Sequence, residues 1–203
     1  MRGLYLVTPN WDDTERLLEV TEQALQEGVA LLQYRHKSAD AALRREQAGA
    51  LLLLARKYGV PFIINDFIEL CEELDADGLH VGGTDMSVAE ARARLGKQKL
   101  VGASCYGDLQ LARKAQLGGA SYMAFGGFYP SLVKQYPVTT DPDIVLQAKR
   151  ELALPCVVIG GMTPDNAAPL VTRGADLVAA ISSVYLADDV APAVQQFNAL
   201  FSS

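Results

Sequence analysis

The stretch Gly174-Ala175-Asp176-Leu177-Val178-Ala179-Ala180-Ile181-Ser182-Ser183 reads as the end of a helix that passes directly into a strand. A glycine directly after a helical stretch can take the left-handed conformation that ends a helix. An unbroken apolar run follows at 177–181 and stops at two serines. Such a run suits a strand of a parallel sheet whose outer face is covered by helices. The same passage from helix end to strand recurs as Gly28-Val29-Ala30-Leu31, Ala76-Asp77-Gly78-Leu79 and Gly119-Ala120-Ser121-Tyr122. Working outward, apolar runs at 4–7, 31–34, 62–65, 79–81, 100–104, 122–125, 156–159 and 177–181 alternate with stretches of helical period. Those stretches fall at 13–27, 41–58, 68–74, 88–95, 108–117, 143–152 and 165–172, and 190–201 closes the chain. Strand then helix, eight times, without a Pro/Ser-rich linker, predicts one α/β domain over 1–203. Eight units wind either an open sheet or a closed barrel. A (β/α)8 TIM barrel is the better fit, near the ~200-residue lower end of that fold.

Composition narrows the function classes. The chain has 203 residues, half of them hydrophobic, and a formal net charge of −6. That excludes a disordered chain, and it argues against a broad basic face for nucleic acid or anionic lipid. Any phosphate must therefore be held by a few local cations. The apolar run at 48–55 is far too short to span a bilayer, so no membrane partner is expected. Pro9-Asn10-Trp11 interrupts the first apolar run before any secretory signal can form. Three cysteines, Cys71, Cys105 and Cys156, lack CxxC spacing. They read as packing residues of a reduced, cytoplasmic protein.

In barrels of this kind the active site lies at the C-terminal ends of the strands. The second run ends in Gln33-Tyr34-Arg35-His36-Lys37. Alternation along an extended chain puts Gln33, Arg35 and Lys37 on one face, pointing into the barrel mouth, where two cations and an amide suit a phosphorylated ligand. A solvated strand end is the alternative. The third run is followed by Asn65-Asp66, and the fourth leads to Asp85. Neighbouring strands lie about 4.8 Å apart, so two carboxylates there can meet at one Mg²⁺ whose other positions are filled by water and phosphate oxygens. A turn role for Asp66 and a helix N-cap role for Asp85 ahead of Val88 explain the same residues equally well.

The fifth run offers Ser104, while Cys105 has no partnering base and His80 reads as a buried strand histidine. After the sixth run comes the longest connection, Gly126-Gly127-Phe128-Tyr129-Pro130-Ser131-Leu132-Val133-Lys134-Gln135-Tyr136-Pro137. It is either a plain surface loop or a functional segment that closes over ligand. Gly160-Gly161 after the seventh run, and Ile181-Ser182-Ser183 after the eighth, expose backbone N–H groups where this fold commonly holds phosphate. Two anionic handles and a metal on one of them suggest group transfer between two phosphorylated substrates with loss of pyrophosphate.

These strand ends resemble the thiamine phosphate synthase family. The likeness rests on Gln33-x-Arg35-x-Lys37, Asn65-Asp66, Asp77-Gly78-x-His80-x-Gly82-x-x-Asp85, Gly102-x-Ser104, Tyr129-Pro130-Ser131-x-x-Lys134, Ile159-Gly160-Gly161-Met162 and Gly174-Ala175-Asp176. It implies condensation of 4-amino-2-methyl-5-(diphosphooxymethyl)pyrimidine with a thiazole phosphate. Gln33, Arg35, Lys37, Asn65, Ser104 and Lys134 would hold the pyrimidine diphosphate, with Arg35, Lys37, Ser104 and Lys134 as the catalytic group. Tyr34 and His36, interleaved in the same segment, are counted among the substrate contacts although they alternate to the other face. Asp66 and Asp85 would hold Mg²⁺, and Ser131, Leu132, Val133, Gly161, Ile181 and Ser182 the thiazole phosphate. The implied mechanism is dissociative and needs no protein nucleophile. The sequence departs from the family at Val133, where a threonine is usual, and at Gly83 and Gly127. Losing the threonine hydroxyl is worth about 1–3 kcal/mol of anion binding. Two alternatives are a thiazole tautomerase-like relative, which typically lacks the Asn-Asp pair, and a non-catalytic binder of thiamine precursors. A homo-oligomer is compatible with the sequence and not specified by it.

Overall fold

The computed structural model describes residues 1–82, 86–130 and 139–202. Eight parallel strands close into a barrel in chain order: β1 Gly3–Val7, β2 Leu31–Tyr34, β3 Phe62–Asn65, β4 Gly78–Val81, β5 Leu100–Tyr106, β6 Tyr122–Phe125, β7 Cys156–Ile159 and β8 Leu177–Ala180. The seam is the parallel pairing of β1 with β8, from Gly3↔Leu177 to Leu6↔Ala180. Around them run α1 Thr14–Gln26, α2 Ala41–Tyr58, α3 Ile68–Glu73, α4 Val88–Leu95, α5 Leu109–Leu117, α6 Ile144–Glu151, α7 Pro164–Thr172, α8 Ser182–Tyr185 and α9 Val190–Ala199. The expected single-domain (β/α)8 barrel is the fold of the chain. Among the described residues, no helix is long and apolar enough to cross a membrane.

Alternation along each strand divides the core in two. Tyr5, Val7, Leu31, Ile63, Tyr122, Val157, Leu177 and Ala179 face inward and fill the barrel. The residues between them, such as Leu4, Leu6, Leu32, Ile64 and Val178, pack outward against the helices. This explains why the strands read as continuous apolar runs.

Helix starts follow from local chemistry. Asp13 and Asp40 accept hydrogen bonds from the N–H groups of Arg16 and Leu43, and Ser87 with Glu90 and Thr163 with Asn166 form reciprocal capping boxes. The N-cap of α4 is thus Ser87, which removes the N-cap explanation offered for Asp85. Asp85 itself lies outside the described residues, as do Ser131, Leu132, Val133 and Lys134.

The repeated turn is confirmed with one realignment. Gly28, Gly119 and Gly174 take positive φ, but in the fourth copy Asp75 (φ 50°) does so and Gly78 sits inside β4. Counted from the left-handed residue, the third position is Ala30, Asp77, Ser121 or Asp176. Three of these bolt down the start of the preceding strand: Asp77 accepts from Phe62 N–H at 2.8 Å, Ser121 from Val101 N–H at 3.0 Å and Asp176 from Cys156 N–H at 2.7 Å. Strand ends would otherwise leave these amides unsatisfied. Two further differences from expectation stand at the mouth. Strand β5 continues to Tyr106 across a register shift, and residues after β8 form the one-turn helix α8, too short to show any period in sequence.

Gly102 is required by space. A Cβ there would lie 2.0 Å from Cζ of Tyr122, whose ring crosses the barrel interior in front of β5. Gly102→Ala is therefore expected to destabilise the fold by about 1–3 kcal/mol, as overpacked cores do. A lowered denaturant midpoint at unchanged slope checks this, and an unchanged midpoint contradicts it.

Candidate active site

The site is assembled at the C-terminal end of the barrel, beginning with β1 and β2. Buried Thr8 holds the backbone of Arg35 at both its polar groups: its hydroxyl accepts from Arg35 N–H at 2.8 Å and donates to Arg35 C=O at 3.2 Å. The strand direction is thus carried past Tyr34, and Gln33 and Arg35 face the barrel interior at 5% and 6% exposure. Lys37 stands farther out, with its Nζ 4.0 Å from Oδ2 of Asp66 and its side chain 57% exposed.

Tyr34 and His36 are not brought to the mouth. The Tyr34 hydroxyl donates to Gln47 Oε1 at 3.0 Å, between strand and helix α2, and burial raises its pKa above the ordinary phenol range. His36 Nδ1 accepts from Ala39 N–H at 3.1 Å, so its Nε2–H donates to Asp12 Oδ1 at 3.0 Å. Both side chains point to the outer layer, as strict alternation requires.

At the end of β3, Asp66 adopts φ 64°, a left-handed backbone uncommon outside glycine and characteristic of tight turns and functional sites. Its N–H donates to His80 C=O at 2.9 Å, while its carboxylate accepts from Asn65 Nδ2 at 2.6 Å and Gly82 N–H at 3.2 Å. The turn role and the outward-presented carboxylate are thus the same feature. Asn65 and Asp66 act as one hydrogen-bonded unit facing Lys37.

Gln33, Arg35, Asn65, His80, Ser104 and Ile181 line one cavity, floored in part by Tyr5 and Val157. His80 is buried, as expected, but faces inward: its Nε2 lies 2.9 Å from Ser104 Oγ and its Nδ1 3.1 Å from the Tyr122 hydroxyl. Alternation from Gly78 and Gly82 contained the signal for this orientation. Tyr5, Tyr122 and Thr8 were missed because each reads as an ordinary strand residue. Cys105 faces the outer core, and burial pushes its thiol up to about 12, so it supplies no thiolate.

On the opposite side, the loops after β6 and β7 touch. Gly161 has φ 62°, and a Cβ there would lie 2.0 Å from the Pro130 carbonyl oxygen. Asn166 Nδ2 donates to Gly161 C=O at 2.8 Å, and the Tyr129 hydroxyl donates to Asn166 C=O at 2.9 Å. The base of the long connection is pinned by Gly127 C=O, which accepts from Thr139 and Thr140 N–H at 3.1 and 3.2 Å. Ile181 borders the cavity, and Ser182 opens α8 beside it.

The family model for thiamine monophosphate synthase (TMP-TENI) matches residues 4–184, from β1 to α8. The chain belongs to this family. Relatives include the thiamine-phosphate synthase of Janthinobacterium sp. (strain Marseille), 65% identical over 202 residues, covering 100% of this chain and 98% of the relative. That of Thiobacillus denitrificans is 49% identical over 201 residues, covering 99% and 95%. The solved thiamine phosphate pyrophosphorylase from Pyrococcus furiosus matches with a TM-score of 0.85 at 29% identity, over 98% of this chain and 94% of that one. As a member of the thiamine monophosphate synthase family, the chain is a transferase that releases pyrophosphate.

The Thr8 clamp gives a direct test of how Arg35 is held. Thr8→Val keeps the shape but removes both hydrogen bonds to the Arg35 backbone, so stability should fall by about 1–3 kcal/mol. Thr8→Ser should recover most of the loss in equilibrium unfolding. Equal behaviour of the two variants would contradict the clamp.

Proposed function

We propose that the chain is a thiamine-phosphate synthase that joins 4-amino-2-methyl-5-(diphosphooxymethyl)pyrimidine to a thiazole phosphate, giving thiamine phosphate and pyrophosphate. The observation that carries this reading is the meeting of Arg35 and Lys37 with the Asn65–Asp66 pair at one end of the barrel. A diphosphate calls for cations on its oxygens, and a carboxylate beside it calls for a divalent ion between the two.

Asp66 fits that ion. Its hard oxygens are oriented by Asn65 and Gly82 and remain a quarter exposed, as suits Mg²⁺, which keeps several waters. Asp66 and Asp85 would hold the metal. Bound there, Mg²⁺ would neutralise charge on the leaving diphosphate.

The chain's own part is placement and electrostatics. Arg35, Lys37 and Lys134 stabilise the diphosphate as the methylene C–O bond breaks and both electrons leave with oxygen. The pyrimidine carbocation so formed is captured by the thiazole nitrogen, whose lone pair makes the new C–N bond. Gln33, Asn65 and Ser104 hold the pyrimidine substrate. Ser131, Leu132, Val133, Gly161, Ile181 and Ser182 hold the thiazole phosphate. No protein nucleophile takes part, consistent with a Cys105 kept neutral by burial. The Asn65–Asp66 unit favours this reading over a thiazole tautomerase-like activity. We infer a reducing, cytoplasmic setting for the reaction, which the three buried free thiols suit.

Supplying both substrates with Mg²⁺ should yield thiamine phosphate, and removing the metal with a chelator should stop its formation. Absence of product at any practical enzyme concentration would overturn the assignment. Asp66→Ala should abolish Mg²⁺-dependent turnover while the chain still folds, with its unfolding free energy lowered by about 1–3 kcal/mol; retained turnover removes Asp66 from the metal site. Lys134→Ala should slow the single-turnover rate by about 10²-fold or more, as loss of a charge-stabilising donor does. An unchanged rate contradicts that role.

A further inference from the structure

The pairing of β2 with β3 ends at Tyr34↔Ile64. Arg35 to Lys37 and Asn65 to Asp66 lie beyond that ladder, so the register of the two strands does not by itself set how far Lys37 stands from Asp66. Arg44, in the first turn of α2, spans the gap. Its Nη2 donates to Ala39 C=O at 2.6 Å, in the loop that carries Lys37. Its guanidinium carbon stands 3.6 Å from the centroid of the Phe67 ring, and Phe67 directly follows Asp66. So short a contact puts the cation against the face of the ring, where the ring quadrupole attracts it. The Nε of Arg44 is buried and has no hydrogen-bond partner among the described residues. A buried donor left unpaired is costly, so the stacked position is kept in spite of that cost.

The turn under this stack is one that needs support. Asp66 has φ 64°, and Phe67 N–H donates to Asn65 C=O at 2.8 Å, two residues back. Such a backbone persists only where its surroundings over-determine it. From the β4 side, His80 C=O accepts from Asp66 N–H and Gly82 N–H donates to the Asp66 carboxylate. From the α2 side, Arg44 presses on Phe67. The neighbouring Arg45 also reaches α3, but through an exposed ion pair with Glu73 at the other end of that helix.

We propose that Arg44 is a positioning residue that ties the loop carrying Lys37 to the turn carrying Asp66, and so fixes the gap between cation and carboxylate. Lys37 Nζ and Asp66 Oδ2 stand 4.0 Å apart across that gap. Arg44 is not part of the cavity wall and acts through Ala39 and Phe67. The inference rests on the proposed function only in taking the occupant of the gap to be a diphosphate with its divalent ion.

The test is amide hydrogen exchange of the ligand-free, ¹⁵N-labelled chain, read residue by residue by NMR. Arg44→Met keeps the length of the side chain and removes the charge, the flat face and the donor. It should speed exchange at the Asp66 and Gly82 amides about tenfold, the effect of one lost bracing contact, with amides inside β2 and β3 unchanged. Phe67→Leu should speed the same two amides to the same degree, and the double variant should go no further. Arg44→Lys keeps the charge without the planar face and should recover little of the loss. Arg45→Met, which cuts the neighbouring link to α3, should leave both amides as in the parent. In turnover, Arg44→Met should raise KM for the pyrimidine diphosphate about three- to ten-fold, with KM for the thiazole phosphate unchanged.

Unchanged exchange at Asp66 and Gly82 in Arg44→Met, an equal change in Arg45→Met, full recovery by Arg44→Lys, or an unchanged KM for the pyrimidine diphosphate would overturn the tie. Faster exchange throughout the barrel would overturn it too, since that reports loss of global stability. If Arg44→Met does not fold, Arg44→Lys and Phe67→Leu decide the matter, because each must speed both amides. A chain that makes no thiamine phosphate yet loses protection at Asp66 in Arg44→Met would refute the function and leave the tie standing. An active chain whose Asp66 amide is indifferent to Arg44→Met would do the reverse.

Discussion

A closed barrel of eight strands must be filled by its own side chains. Here two tyrosines do much of the filling. Tyr5 and Tyr122 meet edge to face across the interior, ring centroids 5.7 Å apart at 86°. Their rings solve the volume problem, with Gly102 making room, but each brings a hydroxyl into a place without bulk water. A buried hydroxyl without a partner is costly, so each must be paired. That requirement propagates upward through Gln33 on one side and His80 and Ser104 on the other. The polar lining of the mouth is thus continuous with the packing of the core.

The electrostatics follow a similar economy. The chain carries a net charge of −6, and on its outer face cations such as Arg45, Lys57, Arg94 and Arg173 pair with Glu73, Glu22, Glu69, Glu72 and Asp143. These exposed pairs contribute little to stability. Arg35 and Lys37 stand at the mouth instead, one buried in the cavity wall and the other 4.0 Å from Asp66 Oδ2. Two cations of this acidic chain thus stand at the C-terminal end of the barrel, beside the Asp66 carboxylate.

Much of this was legible in the sequence, for identifiable reasons. The barrel follows from the repeated passage out of helix into strand, and period-two alternation correctly aimed Gln33 and Arg35 inward. Applied without exception, the same rule excludes Tyr34 and His36 from the mouth and turns His80 into it. The turn at Ala76-Asp77-Gly78 was read one residue out of step, because Asp75 takes the left-handed position that a glycine holds in the other copies. Helix α8 and the Tyr5–Tyr122 contact had no sequence signal: one is shorter than a helical period allows, and the other joins residues 117 positions apart. The role of Thr8 depends on both polar groups of a neighbouring strand's backbone, which the pairing of β1 with β2 brings within reach of one hydroxyl.

The proposed function requires this mouth to bind a diphosphate and a divalent ion between Arg35 and the carboxylates of Asp66 and Asp85. The most direct measurement is a crystal structure with pyrophosphate and Mn²⁺, the metal located by its anomalous signal. An ion is expected at the carboxylates of Asp66 and Asp85, with pyrophosphate oxygens completing its coordination and reaching the Arg35 guanidinium. Pyrophosphate bound away from Arg35, or an anomalous map without a peak at Asp66, would contradict it.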